Sequence, residues 1–168
     1  MAYQGNNGGG NNRPNNNGQN NGRDKYSNHN QNKNNYEQVI ELPKITLDYE
    51  IQEQLFGNIA EEWAKIIEND KKNSKDKINK SAQIRRFYDS VLELNEKAQN
   101  MTDEVYKKEI FPFVIMLNSK VAYAKSRELV SNSFVKMINQ CVEKAITVKK
   151  INNFKLFFEA VIGFYPKK

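Results

Sequence analysis

The chain has 168 residues, one Cys, one His and a net charge of +6. A single thiol excludes a disulfide framework. With the single imidazole at His29, near the start, it also excludes a Cys/His zinc site and any His-based triad or dyad in the remainder of the chain. There is no run of about 18 apolar residues and no apolar stretch at the start, so neither a membrane span nor a signal peptide is expected, and the expected setting is the reducing cytoplasm.

Residues 1–35 hold 14 Asn, 6 Gly and 3 Gln, a net charge of +3 and almost nothing apolar. Burial cannot offset the ordering entropy of such a segment, which predicts a disordered low-complexity tail. Residues 36–168 are long enough for one core and are predicted as a single helical domain. It opens with an apolar stretch, Tyr36 to Leu47, that suits an extended arm. Pro43 argues against a central strand there.

Helical periodicity dominates the rest. Asp48 can cap a helix running to about Asn69, with Ile51, Leu55, Ile59, Trp63 and Ile66 as its apolar stripe and Gly57 as a weak point. Residues 70–80 form a polar, Lys-rich linker. A second helix is predicted from Asn79 or Ser81, burying Ile84, Phe87, Tyr88, Val91 and Ala98. Thr102, with Asp103 and Glu104 behind it, opens a short helix near 103–110. Pro112 separates it from a longer one over about 112–128. Ser131 or Ser133 can cap a helix carrying Phe134, Ile138, Cys141, Val142 and Ala145. The last helix, about 152–165, carries Phe154, Phe157, Phe158, Val161, Ile162 and Tyr165. No stretch alternates convincingly as a strand would. The predicted class is all-α, a compact bundle of five to six helices behind a disordered Asn/Gly-rich tail.

Charge is segregated along this layout. Residues 36–70 carry −7 and residues 71–168 carry +10. That dipolar arrangement suits contact with a polyanion on one side and a basic neighbour on the other, although charged residues also simply cover solvent faces. Catalysis has little to stand on. The pairs Glu61–Glu62 and Asp103–Glu104 are adjacent, and adjacent helical residues do not face each other. Cys141 lies within an apolar stripe and reads as a buried structural thiol. Every Gly except Gly57 and Gly163 lies in the tail, so no phosphate loop exists. No enzyme activity, metal or cofactor is expected.

The fourth helix is the informative one. At 100° per residue, Met116, Lys120, Tyr123 and Arg127 fall within about 60° of one another, beside the apolar stripe Val114, Leu117, Val121 and Ala124. Lys120 and Arg127 can bind phosphates and Tyr123 can stack on a base or ribose. Equally, Tyr123 can be a half-buried packing residue that the cations merely flank. On the second helix Arg86 points away from Ile84 and Val91, whereas Arg85 lies at the flank with its stem able to cover the core.

Three segments then look familiar: Ser81-Ala82-Gln83-Ile84-Arg85-Arg86-Phe87-Tyr88, the run Leu117 to Arg127 (LNSKVAYAKSR), and Phe157-Phe158-Glu159-Ala160-Val161-Ile162-Gly163-Phe164-Tyr165. In this order and spacing they resemble the small-subunit family of type III-A CRISPR effector complexes, over roughly residues 78–168. The resemblance implies a small, non-catalytic helical subunit whose copies stack inside the complex. Its basic side chains would contact the backbone of the CRISPR RNA–target RNA duplex, beside the backbone and large subunits. Carried onto matching positions, it points to Arg85, Arg86, Lys120 and Arg127, with Tyr123 as a packing or stacking partner. The tail and the long acidic first helix go beyond the compact pattern of that family. A rival reading is a helical adaptor that binds protein through its acidic first helix and has no nucleic-acid role.

Overall fold

In the computed structural model, residues 41–166 are described, and the predicted tail, residues 1–35, lies outside them. The described residues form six α-helices and no strand: α1 (Ala60–Asn73), α2 (Ser81–Ala98), α3 (Asp103–Glu109), α4 (Phe111–Ser126), α5 (Asn132–Lys144) and α6 (Val148–Phe164). The all-α class and the helix number agree with the sequence reading.

α6 is the centre of the bundle and packs on α1 and α2, while α4 packs on α5 and α3 caps the start of α4. Its buried residues, Ile151, Phe154, Phe157, Phe158 and Val161, recur at three- and four-residue spacing and give it a continuous seam. Phe158 lies 5.9 Å from the Tyr88 ring of α2 and 6.1 Å from the Phe134 ring of α5, so one side chain ties three helices together. Residues 41–47 do form an arm. Ile45 and Leu47 are buried, the Ile45 N–H donates to Gln140 Oε1 at 3.0 Å, and Asn153 Nδ2 donates to the Leu47 carbonyl at 3.0 Å.

The first helix departs from expectation. It does not start at Asp48. Residues 48–54 are turns, a π-helical turn spans Leu55–Ile59, and regular α-helix begins at Ala60. Gly57 is the cause, because its φ of −106° and ψ of −110° lie outside the regions open to other residues. The predicted stripe therefore loses its phase. Ile51 is 79% exposed and Ile59 and Ile66 are half-buried, while the true seam is Ala60, Trp63, Ala64 and Ile67.

The caps at Thr102 and Ser131 are as read: their hydroxyls accept from Val105 N–H at 3.3 Å and Phe134 N–H at 3.1 Å. α6 starts four residues before the predicted 152, because Thr147 caps it through the Lys150 N–H at 3.2 Å. Neither Asn79 nor Ser81 caps α2, and Lys80 holds the N-cap position without a side-chain bond. Asn79 is instead fully buried with φ +52°, and it bridges four elements.

α4 ends in a two-bond reversal. The Glu128 N–H donates to the Lys125 carbonyl and the Leu129 N–H to the Ala124 carbonyl, both at 2.9 Å, with Glu128 at φ +54°. Glycine is the usual occupant of that position. Glu128→Gly is therefore expected to raise stability by up to about 1 kcal/mol despite its looser unfolded chain, read as a higher urea midpoint at unchanged slope.

Two buried tyrosines set the alkaline limit of the fold. Tyr106 Oη donates to the Ala145 carbonyl and Tyr165 Oη to the Asn79 carbonyl, both at 2.6 Å. Burial pushes both phenols up, Tyr165 to about 12. Each therefore keeps its proton in the folded chain after the unfolded chain has begun to lose it near pH 10. Stability is unaffected below that pH and falls as pH rises from about 10 to 12. Urea unfolding at pH 9 and pH 11 checks this, and the Tyr165→Phe variant is expected to lose less over that interval.

Candidate nucleic-acid interface

α4 buries Val114, Leu117, Val121 and Ala124, the stripe read from the sequence. That fixes the rotation of the helix and puts Lys120, Tyr123 and Arg127 on its outer flank, all three exposed. Tyr123 is 64% exposed and is not a half-buried packing residue. Arg127 Nη1 donates to Tyr123 Oη at 3.2 Å, and its guanidinium stands 5.9 Å from the centre of that ring. The reversal at Glu128 anchors this corner, since the Arg127 N–H also donates to the Tyr123 carbonyl at 3.1 Å.

α2 runs antiparallel to α4. The Asn79 N–H, just before α2, donates to the Leu129 carbonyl, just after α4, at 2.9 Å. Farther along, the two helices enclose a shallow groove lined by Ser90, Glu93 and Lys97 from one and Phe113, Met116 and Lys120 from the other. Arg86 lies on the same side of α2 as Ser90, Glu93 and Lys97, within about 60°. It precedes Glu93 by as many residues as Arg127 follows Lys120, a rise of about 10 Å. Arg86 and Arg127 therefore stand at about the same height on the two helices.

The electrostatics of this edge are uneven. Arg86, Lys120 and Arg127 form no ion pair with a carboxylate among the described residues. Glu93 is bound to Lys97 at 2.6 Å. The hydrogen bond from Lys97, then its charge, and more weakly the charge of Lys120, lower the Glu93 carboxyl below its ordinary range, against a small opposing effect of burial. Arg85 does not join this set. It projects from the opposite flank of α2, over the Tyr88 ring at 5.5 Å and toward Asp89 at 3.4 Å, beside a cleft formed with Ile162 and Tyr165. Its side chain, 64% exposed, lies over the edge of the core at Tyr88.

Lys97 and Phe113 also line the groove, and neither stands out in the sequence. Lys97 shares the helical phase of Arg86, so its position was legible once the buried face of α2 was fixed. Phe113, 55% exposed, sits in the first turn of α4, where apolar residues surround the helix and give no phase. Cys141 is fully buried, and burial pushes its thiol well up, as a structural thiol requires. Among the described residues no group of three or more His, Cys, Asp and Glu is placed to hold a metal ion, and no helix is long and apolar enough to cross a membrane.

The described residues form a small all-α bundle with Arg86, Lys120 and Arg127 exposed along one edge. Residues 50–167 match the family model described as Csm2 Type III-A. The chain belongs to this family, the small subunit of type III-A CRISPR complexes, which is a structural and non-catalytic component. The match begins at residue 50, so the acidic first helix, expected to lie beyond the family pattern, falls within it. No curated protein and no solved structure matches the chain.

Proposed function

We propose that this subunit has no catalytic activity of its own and lies along the CRISPR RNA–target RNA duplex, in the cytoplasm, holding its phosphates with the α2–α4 edge. The observation that carries the proposal is the placing of Arg86, Lys120 and Arg127 on one edge without carboxylate partners among the described residues. Cations left free of acids are the ones able to displace counterions from a nucleic-acid backbone. Tyr123, held by Arg127, offers its exposed ring to a ribose or base. Arg85 is a separate contact on the far flank, weakened by Asp89. Contacts of this kind grip phosphate without reading sequence, which leaves recognition to guide pairing. Further copies stack beside the backbone and large subunits and extend the edge along the duplex.

The experiment is recovery of the tagged chain from cells that carry the complex. The expected result is a nuclease-sensitive assembly containing CRISPR RNA and the other subunits. A chain always recovered with protein partners and no RNA would favour the adaptor reading, in which the acidic first helix is the contact. In the structure two acids of α1 are already paired within the helix, Glu61 with Lys65 and Glu68 with Lys72, which reduces the acidic face available to a partner.

A further inference from the structure

The row on α4 runs on past its cations. Seven residues turn a helix nearly twice, so Phe113, Lys120 and Arg127 fall on one line, drifting about 20° and rising about 10 Å at each step. Met116 and Tyr123 flank that line on one side. Rings and cations therefore alternate along the outside of α4: Arg127 with Tyr123, then Lys120, then Phe113. The Phe113 ring is mostly exposed and has no aromatic or cationic partner among the described residues. A single exposed ring is ordinary, but this one walls the α2–α4 groove.

The groove has a volume of about 200 Å³, with buried Ile110 and half-buried Leu94 as its floor and Phe113 and Met116 as a wall. An apolar cavity of about 150 Å³ holds benzene, and drug-sized ligands need about 300 Å³ or more, so the space suits one flat ring system. Its polar groups are mostly engaged. Ser90 Oγ donates to the Arg86 carbonyl at 3.1 Å and Lys97 Nζ to Glu93 Oε1 at 2.6 Å. The other oxygen of Glu93 and the ammonium of Lys120 have no partner among the described residues. Helical side chains lean toward the N-terminus, so Lys120 reaches back over Met116 toward Phe113. One stacking surface, one acceptor and one free cation are thus brought together.

We propose that the groove takes one unpaired base of an RNA strand whose phosphates lie on Lys120 and Arg127, and that it favours cytosine over uracil. The proposal rests on the reading of this edge as the one that holds RNA, and adds to it a contact that reads a base. The base stacks on Phe113, as bases do on exposed aromatic side chains. The open oxygen of Glu93 accepts from the amino group of cytosine, whereas uracil turns a carbonyl oxygen to the same place and the carboxylate repels it. Lys97 and Lys120 offset the charge of Glu93 against the anionic strand. The row of acid-free cations leading to the groove favours a nucleic acid over a protein side chain as its occupant.

Fluorescence anisotropy of the full chain with end-labelled oligocytidylate and oligouridylate of about eight nucleotides tests this, because the two strands offer the same phosphates. The expected result is about threefold tighter binding of oligocytidylate, with the same salt slope for both. Glu93→Gln frees Lys97 and tightens both, but its amide can turn to suit either base, so the ratio falls to about one. Phe113→Ala is expected to weaken both about fivefold to tenfold at unchanged slope. Both residues are exposed, so the variants fold. Equal binding of the two strands, a preference that survives Glu93→Gln, or an affinity indifferent to Phe113→Ala would overturn the proposal and leave the phosphate contacts standing. The first of these is the outcome expected if a protein side chain fills the groove instead. No binding of either strand would overturn the phosphate-holding reading as well.

Discussion

Asn79→Ala is expected to cost about 3–4 kcal/mol, a large share of the stability of a domain this size. Asn79 Oδ1 accepts from the Ser131 N–H at 2.8 Å, and Nδ2 donates to the Ile67 carbonyl and to Ser131 Oγ, both at 3.0 Å. Truncation leaves the Ser131 N–H buried without that partner, at about 1–3 kcal/mol, and takes from the Ile67 carbonyl, which stays in the α1 ladder, a second hydrogen bond of about 1 kcal/mol. The left-handed backbone at φ +52° adds to the loss, because Asn tolerates that region better than Ala. The cost falls where the end of α1 and the starts of α2 and α5 meet, and the backbone carbonyl of the same residue receives Tyr165 from the end of α6. Urea unfolding gives the number. A loss under about 1 kcal/mol would show that water takes over these partners and that the junction is less dry than its geometry indicates.

Phe158→Ala is the second large effect, about 3–5 kcal/mol. Phe158 is fully buried, stacks on Phe154 at 6.2 Å and meets Tyr88 and Phe134 edge-on or tilted. Removing it opens a cavity between α2, α5 and α6, and the large neighbouring rings cannot all collapse into it. Ile162→Ala, at a half-buried position one turn later, is the comparison and is expected to cost only about 1 kcal/mol. Equal losses at the two positions would mean that Phe158 does not join the three helices energetically.

The two sites differ in how well the sequence announces them. Phe158 stands in a run whose aromatics repeat at three and four residues, and such spacing in water has one economical solution, a buried helix face. Asn79 sits in a polar Lys-rich segment and resembles any cap. Its partners come from residues 67, 131 and 165, which no local pattern connects. Gly57 was visible as a weak point in the first helix, but a single Gly inside a helical pattern is usually tolerated, and its effect here depends on backbone angles. The start of α6 is hidden in the sequence because Lys149, Lys150 and Asn152 look like a loop, although Asn153 beside them is buried against the arm.

The cationic edge was legible on one helix only. The spacing of Lys120, Tyr123 and Arg127 comes from 100° per residue and needed no tertiary information. The separation of Arg85 from Arg86 is different. They are neighbours in the sequence, yet α4 borders one flank of α2 and α6 borders the other, so one arginine joins the edge and the other turns to Asp89. Helix periodicity gives the angle between two residues. It does not say which neighbour lies on which side.

The most direct test of the RNA-holding edge is the salt dependence of target-RNA retention by the assembled complex carrying Lys120→Ala and Arg127→Ala in this subunit. Each phosphate contact contributes close to one unit to the slope of log affinity against log salt. The expected result is weaker retention at low salt and a slope shallower by about two for each copy of the subunit on the duplex, with Arg85→Ala changing it far less. A slope identical to that of the unaltered complex would contradict the account and would show that Lys120 and Arg127 face a protein neighbour instead.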